Sequence, residues 1–227
     1  MAEVEEKKLS AWNHACFGAL DELQKLKETA PDTPFDDQDE RGFTPLCWAC
    51  RNGHFPVVEF LVGQECSLEK ASFAGLTPLH HACNKNHEKI IRFLLTSGCN
   101  VNGVDENGDT ALHWAGARGI LNICVALIEA DANLNASNAQ QVTPLHKAVI
   151  FGQLACVKRF VENGADVDAK DANGDTALHF ASRTGFKSIV AFLVAQGAAQ
   201  VANSAKLKPA DVAMDEAIAT ELAKAGN

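Results

Sequence analysis

Gly164-Ala165-Asp166-Val167-Asp168-Ala169-Lys170-Asp171-Ala172-Asn173-Gly174-Asp175-Thr176-Ala177-Leu178-His179 is the stretch that decides the fold. Thr176 is the last of five threonines, with Thr44, Thr77, Thr110 and Thr143, that recur every 33 residues without a slip. The words around them recur as well: Thr44-Pro45-Leu46, Thr77-Pro78-Leu79-His80, Thr110-Ala111-Leu112-His113 and Thr143-Pro144-Leu145-His146. A fixed period of this length means a solenoid, in which each supersecondary unit buries its apolar face against its neighbours.

Each unit opens on a turn: Asp39 to Gly42, Ser72 to Gly75, Asp105 to Gly108 and Asp171 to Gly174. Glycine in the last place allows positive φ. Gln141 stands there in the fourth unit, which predicts a looser or reshaped turn. Thr then starts a short helix, with Pro45, Pro78 and Pro144 in a first turn where no amide bond is lost. Leu46, Leu79, Leu112, Leu145 and Leu178 face inward, as do the alanines three residues on, Ala49, Ala82, Ala115, Ala148 and Ala181. Gly53, Gly119, Gly152 and Gly185 end the helix, and Asn86 takes that place in the second unit. A second, more apolar helix follows, from Val57-Val58 and Leu61-Val62 in the first unit to Ile189-Val190 and Leu193-Val194 in the last. Gly98, Gly164 and Gly197 cap these helices, while Glu65 and Asp131 occupy the same place at a cost of about 1 kcal/mol each.

The ends differ from the middle. Residues 1–38 read as an N-terminal capping unit and linker, with two helices from about Leu9 to Glu28. Residues 39–203 hold the five full units, and residues 204–227 a C-terminal cap. In that cap Lys208-Pro209-Ala210-Asp211-Val212-Ala213 is a degraded, shifted first helix, and a short charged helix follows from about Glu216 to Lys224. Terminal units face water on one side, so polar substitution is expected there.

This pattern of turn, Thr-Pro-Leu-His, Ala, Gly, apolar helix and Gly-Ala-Asp-Val resembles the ankyrin repeat over about residues 9 to 225. The resemblance implies an all-α solenoid of stacked helix-turn-helix units joined by β-hairpin loops. It implies a protein-binding scaffold or adaptor without cofactor, metal or catalytic residues, whose partner lies on a concave face of turn tips and first helices. Five full repeats with two caps also resemble small free-standing members. Among these are gankyrin-type assembly chaperones and the inhibitor-of-NF-κB class, which mask a surface of another protein.

The net charge of −9 and a pI near 5.3 argue against nucleic acid and anionic membranes as partners. No apolar run reaches the roughly 18 residues of a membrane helix. Eight cysteines without an export signal read as reduced thiols in cytosol or nucleus. His80, His113, His146 and His179 recur one layer apart, about 10 Å, whereas metal ligands must sit about 2 Å from one ion. They are expected to bond turn backbone and Thr hydroxyls instead. Cys47 replaces this His in the first full unit, which should lose the bond. Cys47 and Cys50 match C-x-x-C, the one thiol or zinc signature present, but no second pair accompanies them. Asn102 and Asn135 resemble an asparagine pattern that is hydroxylated in some ankyrin repeats; a structural turn role is the simpler expectation.

The outward row of the first helices is Trp48, His81, Trp114, Lys147 and Phe180. One turn on come Arg51, Lys85, Arg118, Ile150, Phe151 and Arg183. The turns add Arg41, Phe43, Phe73, Leu76, Asp109, Val142 and Asp175. Trp and Arg are the types most enriched in interface hot spots. This composition predicts a protein partner that brings apolar anchors flanked by acidic groups, with the chain's own negative charge elsewhere and the free chain a monomer. The alternative packing places Trp48, Trp114 and Phe180 half-buried between first helices.

Overall fold

The computed structural model describes residues 11–225. Leu9 and the charged run from Met1 to Lys8 lie outside the described residues. The chain divides into two compact units, one ending at Asn107 and the other beginning at Gly108. Among the described residues the elements are helices joined by turns, with no strand.

The first unit begins with α1 (11–17) and α2 (Leu20–Thr29), the expected capping pair. The Trp12 indole donates to the Asp37 carbonyl at 2.8 Å and ties this pair to the linker. Then come α3 (Pro45–Asn52), α4 (Phe55–Gly63), a short 3-10 turn over Phe73–Gly75, α5 (Pro78–Asn84) and α6 (Glu88–Thr96). First helix packs on first helix, α3 on α5, and second on second, α2 on α4 and α4 on α6. The second unit repeats the plan with α7 (Ala111–Arg118), α8 (Leu121–Glu129), α9 (Pro144–Ile150), α10 (Leu154–Glu162), α11 (Ala177–Thr184), α12 (Lys187–Ala195) and α13 (Glu216–Ala225).

The caps explain why the helices start where they do. All five threonines are N-caps in extended conformation. In four units the His three residues on closes a reciprocal box: its Nδ1 accepts the Thr amide and meets the Thr hydroxyl, at 3.0 and 2.9 Å for Thr110 and His113. Such a cap is worth about 1 kcal/mol. In the first full unit Cys47 cannot close the box. Its amide donates to the Thr44 hydroxyl at 3.1 Å, and its thiol reaches the Lys70 carbonyl at 3.4 Å. The imidazole Nε2 usually clamps the next turn, His113 to the Val142 carbonyl and His179 to the Leu207 carbonyl, both at 3.0 Å. His146 Nε2, equally buried, finds no partner.

The inward columns are as dry as their periodicity predicts. The five leucines are 0–2% exposed and the five alanines 0%. The first three members of each second-helix stripe are buried, and the fourth is half-buried at the edge. Gly116 is the one glycine of its column, and the reason is Phe160: a Cβ at Gly116 would come within 2.9 Å of the Phe160 ring. The left-handed caps also hold, with φ of 60° at Asn86, 61° at Glu65 and 62° at Asp131.

Two expectations fail. The fourth turn is not reshaped: Gln141 takes φ 58° and donates to the Asn138 carbonyl at 2.9 Å, as Gly174 does to Asp171. Asn138 Oδ1 accepts the amides of Gln140 and Val142, so the side chain holds the turn and the missing glycine is absorbed as torsional strain. The same device, with Asp39, Asp171 and Asn203, fastens three other turns, which is why no strand ladder is needed. At the C-terminus the expected first helix of the cap is a turn. The Asp211 amide donates to the Lys208 carbonyl at 2.9 Å and the Ala213 amide to the Ala210 carbonyl at 3.3 Å, so the segment closes three-residue turns where a helical ladder was expected. The turn before it is intact, and Asp215 caps α13 through the Ile218 amide at 2.9 Å.

Candidate functional site

In the first unit the turn and first-helix residues build one aromatic stack. Phe43 lies on Trp48 with ring centroids 4.4 Å apart, and His81 lies 4.8 Å from Phe43 on the other helix. The Arg51 guanidinium sits 5.5 Å above Phe43 and 5.7 Å above Trp48. Asp39 accepts the Trp48 indole N–H at 2.9 Å. Ser72 Oγ and His81 Nε2 are hydrogen-bonded at 2.7 Å. Burial, then the charges of Arg51 and His80, push the His81 imidazole down to about 4. It is neutral at pH 7.

In the second unit carboxylates replace the aromatics at the turn. Asp109 accepts Asn138 Nδ2 at 2.7 Å and pairs with Lys147 at 2.8 Å. Asp175 accepts Asn203 Nδ2 at 2.6 Å and pairs with Arg183 at 2.7 Å. Burial alone would raise the Asp175 carboxyl; the bonds from Asn203 and Arg183 outweigh it and leave the group below the usual aspartate value. A cleft of about 260 Å³ lies between α7 and α9, lined by Asp109, His113, Trp114, Ala117, Arg118, Lys147 and Phe151. It is smaller than the roughly 300–1,000 Å³ of small-molecule pockets.

The structure sorts the sequence-derived face into three groups. Arg41, Arg51, Phe73, Lys85, Arg118, Phe151 and Arg183 are exposed. Trp48, Leu76, Trp114, Val142, Lys147, Ile150 and Phe180 are half-buried, the alternative packing named for the three aromatic rings. Phe43, His81, Asp109 and Asp175 are buried, so they shape the face from beneath and do not line it. Phe43 and His81 are covered because they stack on each other; Asp109 is covered because an amide and an ammonium from the next repeat close over it. Nor is the face free of the chain's own negative charge, since Asp109 and Asp175 already neutralise Lys147 and Arg183. One signal for this lay in the sequence: Asp109 with Asn138 and Asp175 with Asn203 recur at nearly the same spacing.

The C-x-x-C thiols are quiet. Burial pushes Cys47 up to about 11 and Cys50 well above its ordinary value, the reverse of an activated C-x-x-C. None of the eight cysteines is in a disulfide, and the Cys124 and Cys156 thiols are hydrogen-bonded at 3.6 Å. Cys66 and Cys99 are likewise pushed up to about 12 by burial. Among the described residues no group of three or more His, Cys, Asp or Glu could hold a metal ion, and no helix is long and apolar enough to cross a membrane. Asn135 holds neighbouring turns together, because its Oδ1 accepts the Asp166 amide at 2.8 Å.

Comparison with known proteins agrees with this architecture. Ankyrin repeats match in a three-copy form over residues 63–138, and in a many-copy form over residues 11–62, 117–160 and 146–194. The chain belongs to the ankyrin-repeat family. It is similar to the ankyrin repeat domain of Bcl-3, described as a unique member of the IkappaB protein family. That likeness has 26% identity and a TM-score of 0.86 over 94% of this chain and 97% of that one. It is also similar to the human ASB11 ankyrin repeat domain, with 24% identity and a TM-score of 0.83 over 96% and 97%; this second likeness concerns the fold alone. A search of the curated proteins gives no match. Ankyrin-repeat domains are in general protein–protein interaction modules and are not typically enzymes.

Proposed function

We propose that this chain is a binding scaffold or adaptor, without catalytic residues or cofactor, that receives a partner protein on its turn tips and first helices. The observation that carries this reading is the cleft between α7 and α9. Its walls are half-buried Trp114 and Phe151, the latter 57% exposed where a solvated turn would carry a polar residue. A cleft of that size suits one large apolar side chain of a partner, and Arg118 at its rim favours an acidic neighbour, while Lys147 is already taken by Asp109. Trp and Arg are among the residue types most enriched at interface hot spots. Eight cysteines without a disulfide suit a reducing compartment, cytosol or nucleus.

Replacing Trp114 and Arg118 together by Ala tests the reading in a pull-down against the source-cell proteome, with circular dichroism as the fold control. Loss of the specifically retained protein is expected. Retention by the intact double variant would remove the cleft from the binding surface.

A further inference from the structure

Arg51 and Arg183 occupy the same place in two repeats, four periods apart. Each lies over the ring one turn earlier in its own helix, Arg51 at 5.7 Å from Trp48 and Arg183 at 5.6 Å from Phe180. The residue eight places earlier differs. At Arg183 it is Asp175, whose buried carboxylate pairs with the guanidinium at 2.7 Å. At Arg51 it is Phe43, an aromatic ring that cannot pair. Asp39, the acid of the same turn, is committed elsewhere: one oxygen takes the amides of Arg41 and Phe43, the other the Trp48 indole. Arg51 is exposed, and among the described residues it has no ion-pair partner.

We propose that Arg51 is an open receptor for a carboxylate, and that it takes an Asp or Glu side chain from an acidic segment of the bound protein. This rests on the docking face named above. The fold itself shows what satisfies a guanidinium in this setting, because it builds the closed version at Arg183. Stacking on two rings holds the planar fork in place, so little rotamer freedom is left to lose when a carboxylate arrives. The free N–H edge can then bind two oxygens at once. Lys85, exposed beside α5 and also without an acid partner among the described residues, adds charge of the same sign. Phe73, 65% exposed at the neighbouring turn, offers apolar cover beside the acid.

The test is a titration of the full chain with deca-glutamate, read at the arginine Nε–Hε signals by NMR and by anisotropy of the labelled peptide. In the wild type the Arg51 signal moves saturably and the Arg183 signal does not. Arg51→Gln weakens the peptide about fivefold, the size of one partly exposed ion pair. Phe43→Asp, which rebuilds the internal pair without touching Arg51, weakens it to the same degree. Asp175→Asn frees Arg183 and makes its signal respond. Equal movement of both signals in the wild type, no movement of either, or binding that Phe43→Asp leaves unchanged overturns the proposal. A protein partner that depends on Trp114 and Arg118 but not on Arg51 would overturn it while sparing the docking face; a partner that ignores all three residues would remove the docking face as well.

Discussion

The two compact units solve the same packing problem with different chemistry. In the first, the turn residues before the Thr cap are Phe43 and Leu76, and the face is built of rings under a cation. In the second they are Asp109, Val142 and Asp175, and the acids draw amides and cations from neighbouring positions into closed networks. A single column thus decides whether a cation beside it is ion-paired within the chain, as Arg183 is, or lies over a ring, as Arg51 does. The repeat fixes where such a column lies. Its occupants decide which charges on the face are paired.

The largest expected effect separates the units by pH. His81 is held neutral in the first unit by burial, with an imidazole at about 4 against an ordinary 6.5. The unfolded chain therefore takes up the proton first. The stability contribution is complete above about pH 6.5 and is lost as pH falls toward about 4, by about 3 kcal/mol at 1.4 kcal/mol per pH unit. The equivalent places in the second unit hold Trp114, Lys147 and Phe180, although buried His146 is also held low there by burial. Urea unfolding of His81→Gln across this range should show a flatter acid limb for the first unit. An unchanged limb would place the titration elsewhere.

Next comes the closed network. Asp175→Ala leaves the Asn203 amide and the Arg183 guanidinium without their acceptor and should cost about 2 kcal/mol in chemical unfolding. Because the folded carboxyl sits below its unfolded value, the contribution of Asp175 is present above the ordinary aspartate range and disappears as pH falls through the lowered value. Asp175→Asn should remove that acid dependence at lower cost, since an amide oxygen can still accept from Asn203. If Asp175→Ala proves as mild as a surface change, the network does not hold the second unit together.

The smallest effect concerns the turns. Gln141→Gly removes left-handed strain and should stabilise by roughly 0.5–1 kcal/mol. Gly174→Ala should destabilise by at least as much, because its added Cβ would meet the Ser204 amide nitrogen at 2.9 Å as well as a φ of 77°. Thermal unfolding of the two variants should move in opposite directions; movement in the same direction would mean that the turns do not share one geometry.

Much of this was legible because local rules repeat. Thr at the N-cap, Leu and Ala three apart, and Gly or Asn after the helix state their own conformations, and each is checked five times over. The buried status of Phe43, His81 and Asp109 was not legible, because it depends on what each residue meets in the next repeat, and that occupant changes from unit to unit. The Gln141 turn departs from expectation for a related reason. The glycine rule concerns φ, but Asn138, three residues earlier, carries the bonds that keep the turn closed. At Lys208 the Asp211 and Ala213 amides bond three residues back in place of a helix, which a periodic reading of a shifted copy does not reveal.

Hydrogen exchange on the affinity-purified complex, set against the free chain, tests the central claim most directly. Binding on the turns and first helices should slow exchange at the turns around Arg41 and Phe73 and through α3, α5, α7 and α9, and leave the second helices α4, α6, α8 and α10 unchanged. Protection confined to those second helices would contradict it.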